Sequence, residues 1–377
     1  MHEHVPQRAL PRGIARRMAG VQASGIRRMF ELAQSVPDPI DLSIGQPDFE
    51  VPEDVQAAAI RAIREGHNRY TVTQGLPELN RLLLERVRER HGYRAESSLV
   101  TAGVSGGITL AFLVLVDPGD EVLIPDPYFL MYKNLASLCG GVPKTYDLYP
   151  DFRFRADRIE AAMTPKTKVL VLGSPGNPTG MTATDAELGA IAEVAKARGV
   201  FVISDEIYDG FVYDDRHRSI SEKMGGVILL SGFSKTYAMP GWRLGWALGP
   251  RDVLDEMRTL QQFTFVCAPS FAQKAALAAL GQDMSGHLED YRKKRRMLVE
   301  GLRDRYRFTA PGGSFYAFIE APEGTTGSSF AARALEHKVL LVPGQSCSER
   351  DTHFRVSFAV PDETLRRGIE VLRQLAH

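Results

Sequence analysis

The chain has 377 residues, with 46 Lys+Arg balanced by 46 Asp+Glu, 44% hydrophobic residues and 24% charged ones. These proportions exclude a disordered or collagen-like chain, and the length allows two or three units with sizeable cores. Zero formal charge argues against broad nucleic-acid or anionic-membrane binding, and three scattered cysteines (Cys139, Cys267, Cys347) supply neither a disulfide framework nor a CxxC pair.

The first 30 residues hold six arginines and one acid, Glu3, but only Ser24 supplies a serine and no apolar signal core follows. A cytoplasmic chain without a cleaved presequence is the expectation. The longest strongly apolar run, Ile108–Val116, has 9 residues. A membrane helix needs roughly 20.

Short apolar runs followed by helical patterns then recur. Leu99–Thr101 leads into Ile108–Val116, and Glu121–Ile124 leads into the aromatic stretch Tyr128–Tyr132. Lys168–Leu172, Val200–Ser204 and Val227–Ser231 repeat the theme. Between two of them, Thr184 and Glu187 predict a capping box. Leu188, Ile191, Ala192 and Ala195 form one apolar stripe, and Gly199 supplies the stop. This alternation predicts an α/β fold with a mostly parallel central sheet flanked by helices.

From about residue 282 the pattern changes. Tyr291–Arg305 reads as a charged helix, Phe308, Phe315–Ile319, Val339–Val342 and Phe354–Phe358 as short strands, and Glu363–Leu375 as a closing helix. A smaller α+β domain is expected, with the boundary in or beside a long helix near residues 252–281. The large domain is then 48–281, and the small one is 282–377 joined by the N-terminal arm 1–47.

Ligands of open α/β sheets bind at the carboxyl ends of the strands. Three successive runs end there in distinctive polar groups. Leu172 is followed by Ser174-Pro-Gly-Asn177-Pro-Thr-Gly180, Ser204 by Asp205-Glu-Ile-Tyr208, and Ser231 by Gly232-Phe-Ser234-Lys235 and then Arg243. An amide, a carboxylate, a phenol and a lysine thus converge on one crevice. No G-x-G-x-x-G follows a strand, and the P-loop-like Gly232–Thr236 lacks the required glycines. The nine histidines show no metal-ligand spacing, so no catalytic metal is expected.

At these residues the sequence resembles the fold-type I pyridoxal-phosphate enzymes, specifically the class I aminotransferases. The matching segments are Ile40–Phe49, Pro125–Tyr128, Ser174–Gly180, Asp205–Tyr208, Ser231–Gly245 and Phe354–Phe358, in the family's order over nearly the whole chain. The resemblance implies pyridoxal 5′-phosphate as cofactor and Lys235 as the Schiff-base lysine, which also moves the proton between the substrate Cα and the cofactor's C4′. Asp205 would face the pyridine nitrogen, while Asn177 and Tyr208 would hydrogen-bond the phenolic oxygen. Ser105 and Gly106 in the loop Val104–Gly107, with Ser234 and Arg243, would hold the phosphate. Gly232 departs from relatives that carry a hydroxyl there, which puts cofactor affinity in question. Tyr128 matches the aromatic that stacks on the ring. Tyr70 matches a tyrosine reaching the phosphate from a neighbouring subunit, which implies a homodimer with shared sites.

Arg355 is the implied clamp for the substrate α-carboxylate, since guanidinium offers two parallel hydrogen bonds that lysine cannot reproduce. Gly45 would add a backbone N–H. Some aspartate-using relatives place a lysine near Ser105, where this chain has none, and Phe263–Ala268 holds no cation either. The expected reaction is amino transfer from a neutral or apolar L-amino acid to a 2-oxo acid such as 2-oxoglutarate, with aspartate left open as donor. A carbon–sulfur β-lyase of the same fold and a cofactor-binding effector domain of a transcription regulator are the competing readings. The roughly 40 residues before Asp41 leave little room for the DNA-binding domain such a regulator needs.

Overall fold

The computed structural model describes residues 12–21 and 36–376; residues 1–11 and 22–35 of the expected N-terminal arm, with Glu3 and Ser24, lie outside the described residues. In chain order the described strands are β1 Ile40–Asp41, β2 Ser97–Thr101, β3 Glu121–Asp126, β4 Val142–Asp147, β5 Thr167–Gly173, β6 Phe201–Asp205, β7 Ile228–Gly232, β8 Gly245–Gly249, β9 Tyr316–Glu320, β10 Val339–Leu340, β11 Val342–Pro343 and β12 His353–Ser357.

Seven of them form one sheet in the order β2-β8-β7-β6-β5-β3-β4. Neighbours run parallel except for β8, which is antiparallel to both β2 and β7. The exception follows from the connection. Residues 233–244 connect β7 to β8 with only the short turn Pro240–Trp242 and no crossover helix, so the chain turns back beside itself. Successive side chains on β5 alternate between two buried layers: Leu170 and Leu172 face one, Val169 and Val171 the other. Both faces are covered by helices, as a parallel sheet requires. Each fully buried aliphatic side chain contributes about 1.5–3 kcal/mol.

The helix Asp185–Arg198 forms as predicted. Thr184 and Glu187 complete a reciprocal capping box, Leu188, Ile191, Ala192 and Ala195 are buried, and Gly199 closes the helix in the left-handed region. The single long helix expected near 252–281 is instead two, Arg251–Thr264 and Ser270–Ala279. Val266 has φ 64° and Pro269 precedes the second helix, so the backbone cannot continue through this stretch. β4 and β8 and the helices Glu53–Arg64, Pro77–His91, Ala156–Ala162 and Gly327–Glu336 are further elements absent from the sequence reading.

A second sheet, β11-β12-β9, is antiparallel, and β1 pairs in parallel with β10. Apolar residues of these strands and their flanks, including Ile40, Leu42, Phe315 and Phe354, pack in a core with Leu298 of helix Ser285–Leu302 and Leu365 of helix Asp362–Gln374. This core brings β12 and the segment after β1 up to the carboxyl ends of β5, β6 and β7.

Candidate active site

A cavity of about 250 Å³ lies at those carboxyl ends, and its wall includes Gly45, Ser105, Asn177, Asp205, Tyr208, Ser234, Lys235, Arg243 and Arg355. The structure therefore gathers, around one space, residues that the sequence distributes over more than three hundred positions.

Asp205 is the last residue of β6 and is buried. Tyr132 Oη donates to its Oδ2 at 2.6 Å, and the Ile207 N–H donates to Oδ1 at 3.3 Å. Burial pushes the carboxyl up to about 6, against the pull of these two donors. Lys235 sits three residues past the end of β7. Burial first, and then the charges of Arg355 and Arg243, bring its ammonium down to about 8. Its Nζ donates to the Gly45 carbonyl at 2.5 Å. A lysine so shifted offers about a tenth of its population as free amine at pH 7, far more than an ordinary lysine.

Arg355 lies on β12, paired with Phe318 on one side and Val342 on the other, and is 1% exposed. Nη1 donates to Asn177 Oδ1 at 2.9 Å and Nη2 to the Ser43 carbonyl at 2.7 Å. The guanidinium lies 4.3 Å from the centre of the Tyr316 ring, and Nε is buried without a hydrogen-bond partner. A buried cation held by neutral acceptors and a π-face is suited to an incoming carboxylate. Tyr208 Oη shares a hydrogen bond with Tyr316 Oη at 3.0 Å, and burial raises the Tyr208 phenol well above its ordinary range.

At the other end of the cavity, helix Gly103–Leu115 starts after Ala102 with no side-chain cap, which leaves its first N–H groups free for an anion. Arg243 lies beside that end, donating to the Pro240 carbonyl at 2.8 Å and to the Ala102 carbonyl at 3.4 Å. Two glycines permit this approach. A Cβ on Gly103, whose φ is +71°, would fall 2.6 Å from Arg243 Nη2, and one on Gly245 would fall 2.6 Å from the Val104 nitrogen. Arg243 itself adopts φ 54°, a strained conformation for an arginine. Gly232 finds its reason here as well, because a Cβ would lie 2.9 Å from Gly245 Cα across the β7–β8 pair.

One assignment is corrected. Tyr128 does not border the cavity: its hydroxyl donates to Glu349 Oε1 at 2.9 Å and accepts from Lys133 Nζ at 3.3 Å. Phe129 occupies the wall in its place. Gly106 is buried in the same turn of helix as Ser105 without bordering the cavity. Tyr70 is 83% exposed and outside the cavity of its own chain. Phe129, Tyr132 and Tyr316 also border the cavity, and Ser43 and Gly103 lie against Arg355 and Arg243, although no motif in the sequence singles them out. Phe129 and Tyr132 at least lay within its aromatic stretch.

The family described as aminotransferase class I and II matches residues 37–372. The chain belongs to this family. It is 34% identical over 377 residues to a probable aspartate aminotransferase of Methanocaldococcus jannaschii, covering 96% of this chain and 99% of that one. It is 38% identical over 364 residues to a probable N-acetyl-LL-diaminopimelate aminotransferase of Bacillus subtilis, covering 93% of each. Among solved structures, aspartate aminotransferase from Thermus thermophilus with maleate superposes with a TM-score of 0.93 at 32% identity, over 97% of this chain and 100% of that chain. The enzyme is thus an aminotransferase of the type I fold, acting on amino and 2-oxo acids, and the β-lyase reading is not favoured. Among the described residues, no helix is long and apolar enough to cross a membrane.

Proposed function

We propose that the enzyme uses pyridoxal 5′-phosphate held by Lys235 to transfer amino groups from L-amino acids with uncharged side chains to a 2-oxo acid such as 2-oxoglutarate. The observation that carries this reading is the presence on one cavity of Lys235, part-buried with its amine lowered to about 8, and the buried carboxyl of Asp205. The cavity fits such a group. It offers an uncapped helix end, Ser105, Ser234 and Arg243 for a phosphate, a flat aromatic in Phe129, and Asn177 and Tyr208 as polar partners. Bound there, the cofactor supplies an electron sink for the charge left on Cα.

Asp205, fixed by Tyr132, would favour a protonated ring nitrogen beside it. Arg355 would grip the substrate α-carboxylate, with Asn177 setting its orientation. The Lys235 amine then takes the proton from the substrate Cα, and burial of the site keeps bulk water from competing. Among the described residues of one chain, the cations on the cavity wall are Lys235, Arg243 and Arg355. Each has a role in this reading, so none of these three is left for a second substrate carboxylate. The names of the M. jannaschii and T. thermophilus relatives favour aspartate as a second reading.

The same reading takes residues 48–281 as the large domain and 1–47 with 282–377 as the small one. It also takes a homodimer. Tyr70, Val72 and Phe263 are exposed apolar side chains, and Phe263 is 81% exposed. A second copy seated there would cover this apolar patch, and the family resemblance then has Tyr70 reach the partner's phosphate end. A cytoplasmic setting suits three cysteines that are free thiols. A half-reaction screen tests the substrate class: each amino acid is added to cofactor-loaded enzyme and the visible absorbance followed. Uncharged donors should react fastest, and a tenfold preference for aspartate would overturn that choice.

A further inference from the structure

The segment Ser43–Phe49 touches both working cations of the cavity. Its Ser43 carbonyl accepts from Arg355 Nη2 and its Gly45 carbonyl accepts from Lys235 Nζ. Upstream, the segment is anchored by backbone pairing. The Leu42 N–H donates to the Leu340 carbonyl at 3.1 Å, and the Leu42 carbonyl accepts from the Ser357 N–H at 2.7 Å. Beyond that point the chain leaves the sheet, and nothing in the extended stretch Ile44–Pro47 pairs with a strand. The next fixed point is Asp48.

Asp48 is held from three directions by one helix, Ser285–Leu302. Tyr291 Oη donates to its Oδ1 at 2.7 Å and accepts from its backbone N–H at 3.1 Å, while Lys294 Nζ donates to Oδ2. Tyr291 and Lys294 are buried, and although Asp48 lies at the surface its side chain is only 14% exposed, so the ion pair is partly shielded from solvent screening. Phe49 adds a stacked contact to His287 of the same helix, with ring centres 3.9 Å apart. Close by, a Cβ at Gly45 would come 3.1 Å from Tyr316 Oη, so the segment runs close against that hydroxyl.

We infer that Asp48 is a positioning residue: its attachment to Tyr291 and Lys294 holds the Ser43–Gly45 carbonyls against Arg355 and Lys235, and so sets how well the carboxylate clamp meets the substrate. This inference rests on the assignment of Arg355 and Lys235 given above. Asp48 touches neither substrate nor cofactor. Its effect runs through the two carbonyls and is felt as lost preorganisation of the guanidinium.

Three variants test it in the holoenzyme: Asp48→Asn, Lys294→Met, and the pair together, which removes both charges and leaves no buried ion unpaired. The measurements are bound cofactor, thermal midpoint, and KM and kcat for the best amino donor. The expected result is a KM about tenfold higher, with cofactor content unchanged and kcat within about threefold, in both Asp48→Asn and the double variant. In an Arg355→Ala background, Asp48→Asn should add almost nothing to KM, because the guanidinium through which the KM effect runs is gone. An unchanged KM in the folded double variant overturns the inference. So does a full, additive loss in the Arg355→Ala background, which would mark Asp48 as merely structural. Failure of the underlying site assignment looks different: wild-type enzyme would then carry no cofactor on Lys235, whatever stands at 48.

Discussion

Arg355 Nη1 and Asn177 Oδ1 meet at 2.9 Å although 178 residues separate them. The bond joins β12 of one sheet to the loop after β5 of the other, and it fixes the plane of a guanidinium whose Nε has no hydrogen-bond partner. A planar fork held in this way presents its remaining N–H groups in a set direction.

Arg355→Lys should therefore cost more than its retained charge implies. Charge-assisted bonds are worth about 1.5–3 kcal/mol. Loss of the fork should lower kcat/KM for amino acids by more than about tenfold, mostly through KM. Steady-state kinetics with a single donor and acceptor pair checks this, and wild-type values in the lysine variant would remove Arg355 from the carboxylate site.

Asp205→Ala should fold, since the change removes a buried carboxyl rather than an apolar anchor. Its single-turnover rate of Cα proton removal should fall by about 100-fold or more, the scale of a lost preorganised electrostatic contact. An unchanged rate by stopped-flow would contradict its electronic role.

Tyr132→Phe probes the same carboxylate from its other side. The Tyr132 hydroxyl stabilises the ionised form, and burial opposes it. Removing the donor should raise the Asp205 pKa above about 6, moving the acidic limb of the pH–rate profile to higher pH. A limb that stays in place, or moves to lower pH, would show that Asp205 does not govern it.

Lys235 predicts the pH dependence of cofactor capture. Only the neutral amine attacks an aldehyde, and burial lowers this ammonium from 10.5 to about 8. Reconstitution of apoenzyme with pyridoxal phosphate should accelerate as pH rises, levelling above about 8. A rate still climbing steeply at pH 10 would show an unshifted lysine.

Ser105→Lys would place a cation on the cavity wall beside the helix end. Aspartate turnover should rise about tenfold in kcat/KM relative to an uncharged donor, the worth of one new charge-assisted contact. No change in that ratio would mean that the second carboxylate, when present, is recognised elsewhere.

Much of the fold was legible because its signals are local. Thr184 and Glu187 lie three residues apart and announce their helix, and the β-branched runs before Asn177, Asp205 and Lys235 announce three adjacent strands. The antiparallel β8, Gly-Trp-Ala-Leu-Gly, carries no β-branched residue and is held in the sheet by tertiary contact with β2 and β7. The break at Val266 was missed because a helical pattern flanks it on both sides. Within the site, motif residues were readable, while Tyr316 and Ser43 were not, since their roles arise only when β9 and the segment after β1 are folded against β12. Tyr128 and Phe129 show the limit of resolution. Two adjacent aromatics point in different directions, and only the folded chain decides which one borders the cavity.

Borohydride reduction of the holoenzyme, followed by proteolysis and peptide mass analysis, tests the assignment of Lys235 most directly. A pyridoxyl group on the peptide carrying Lys235, lost in Lys235→Ala, is the expected result. An adduct on a different lysine, or none in an enzyme that still turns over, would contradict it.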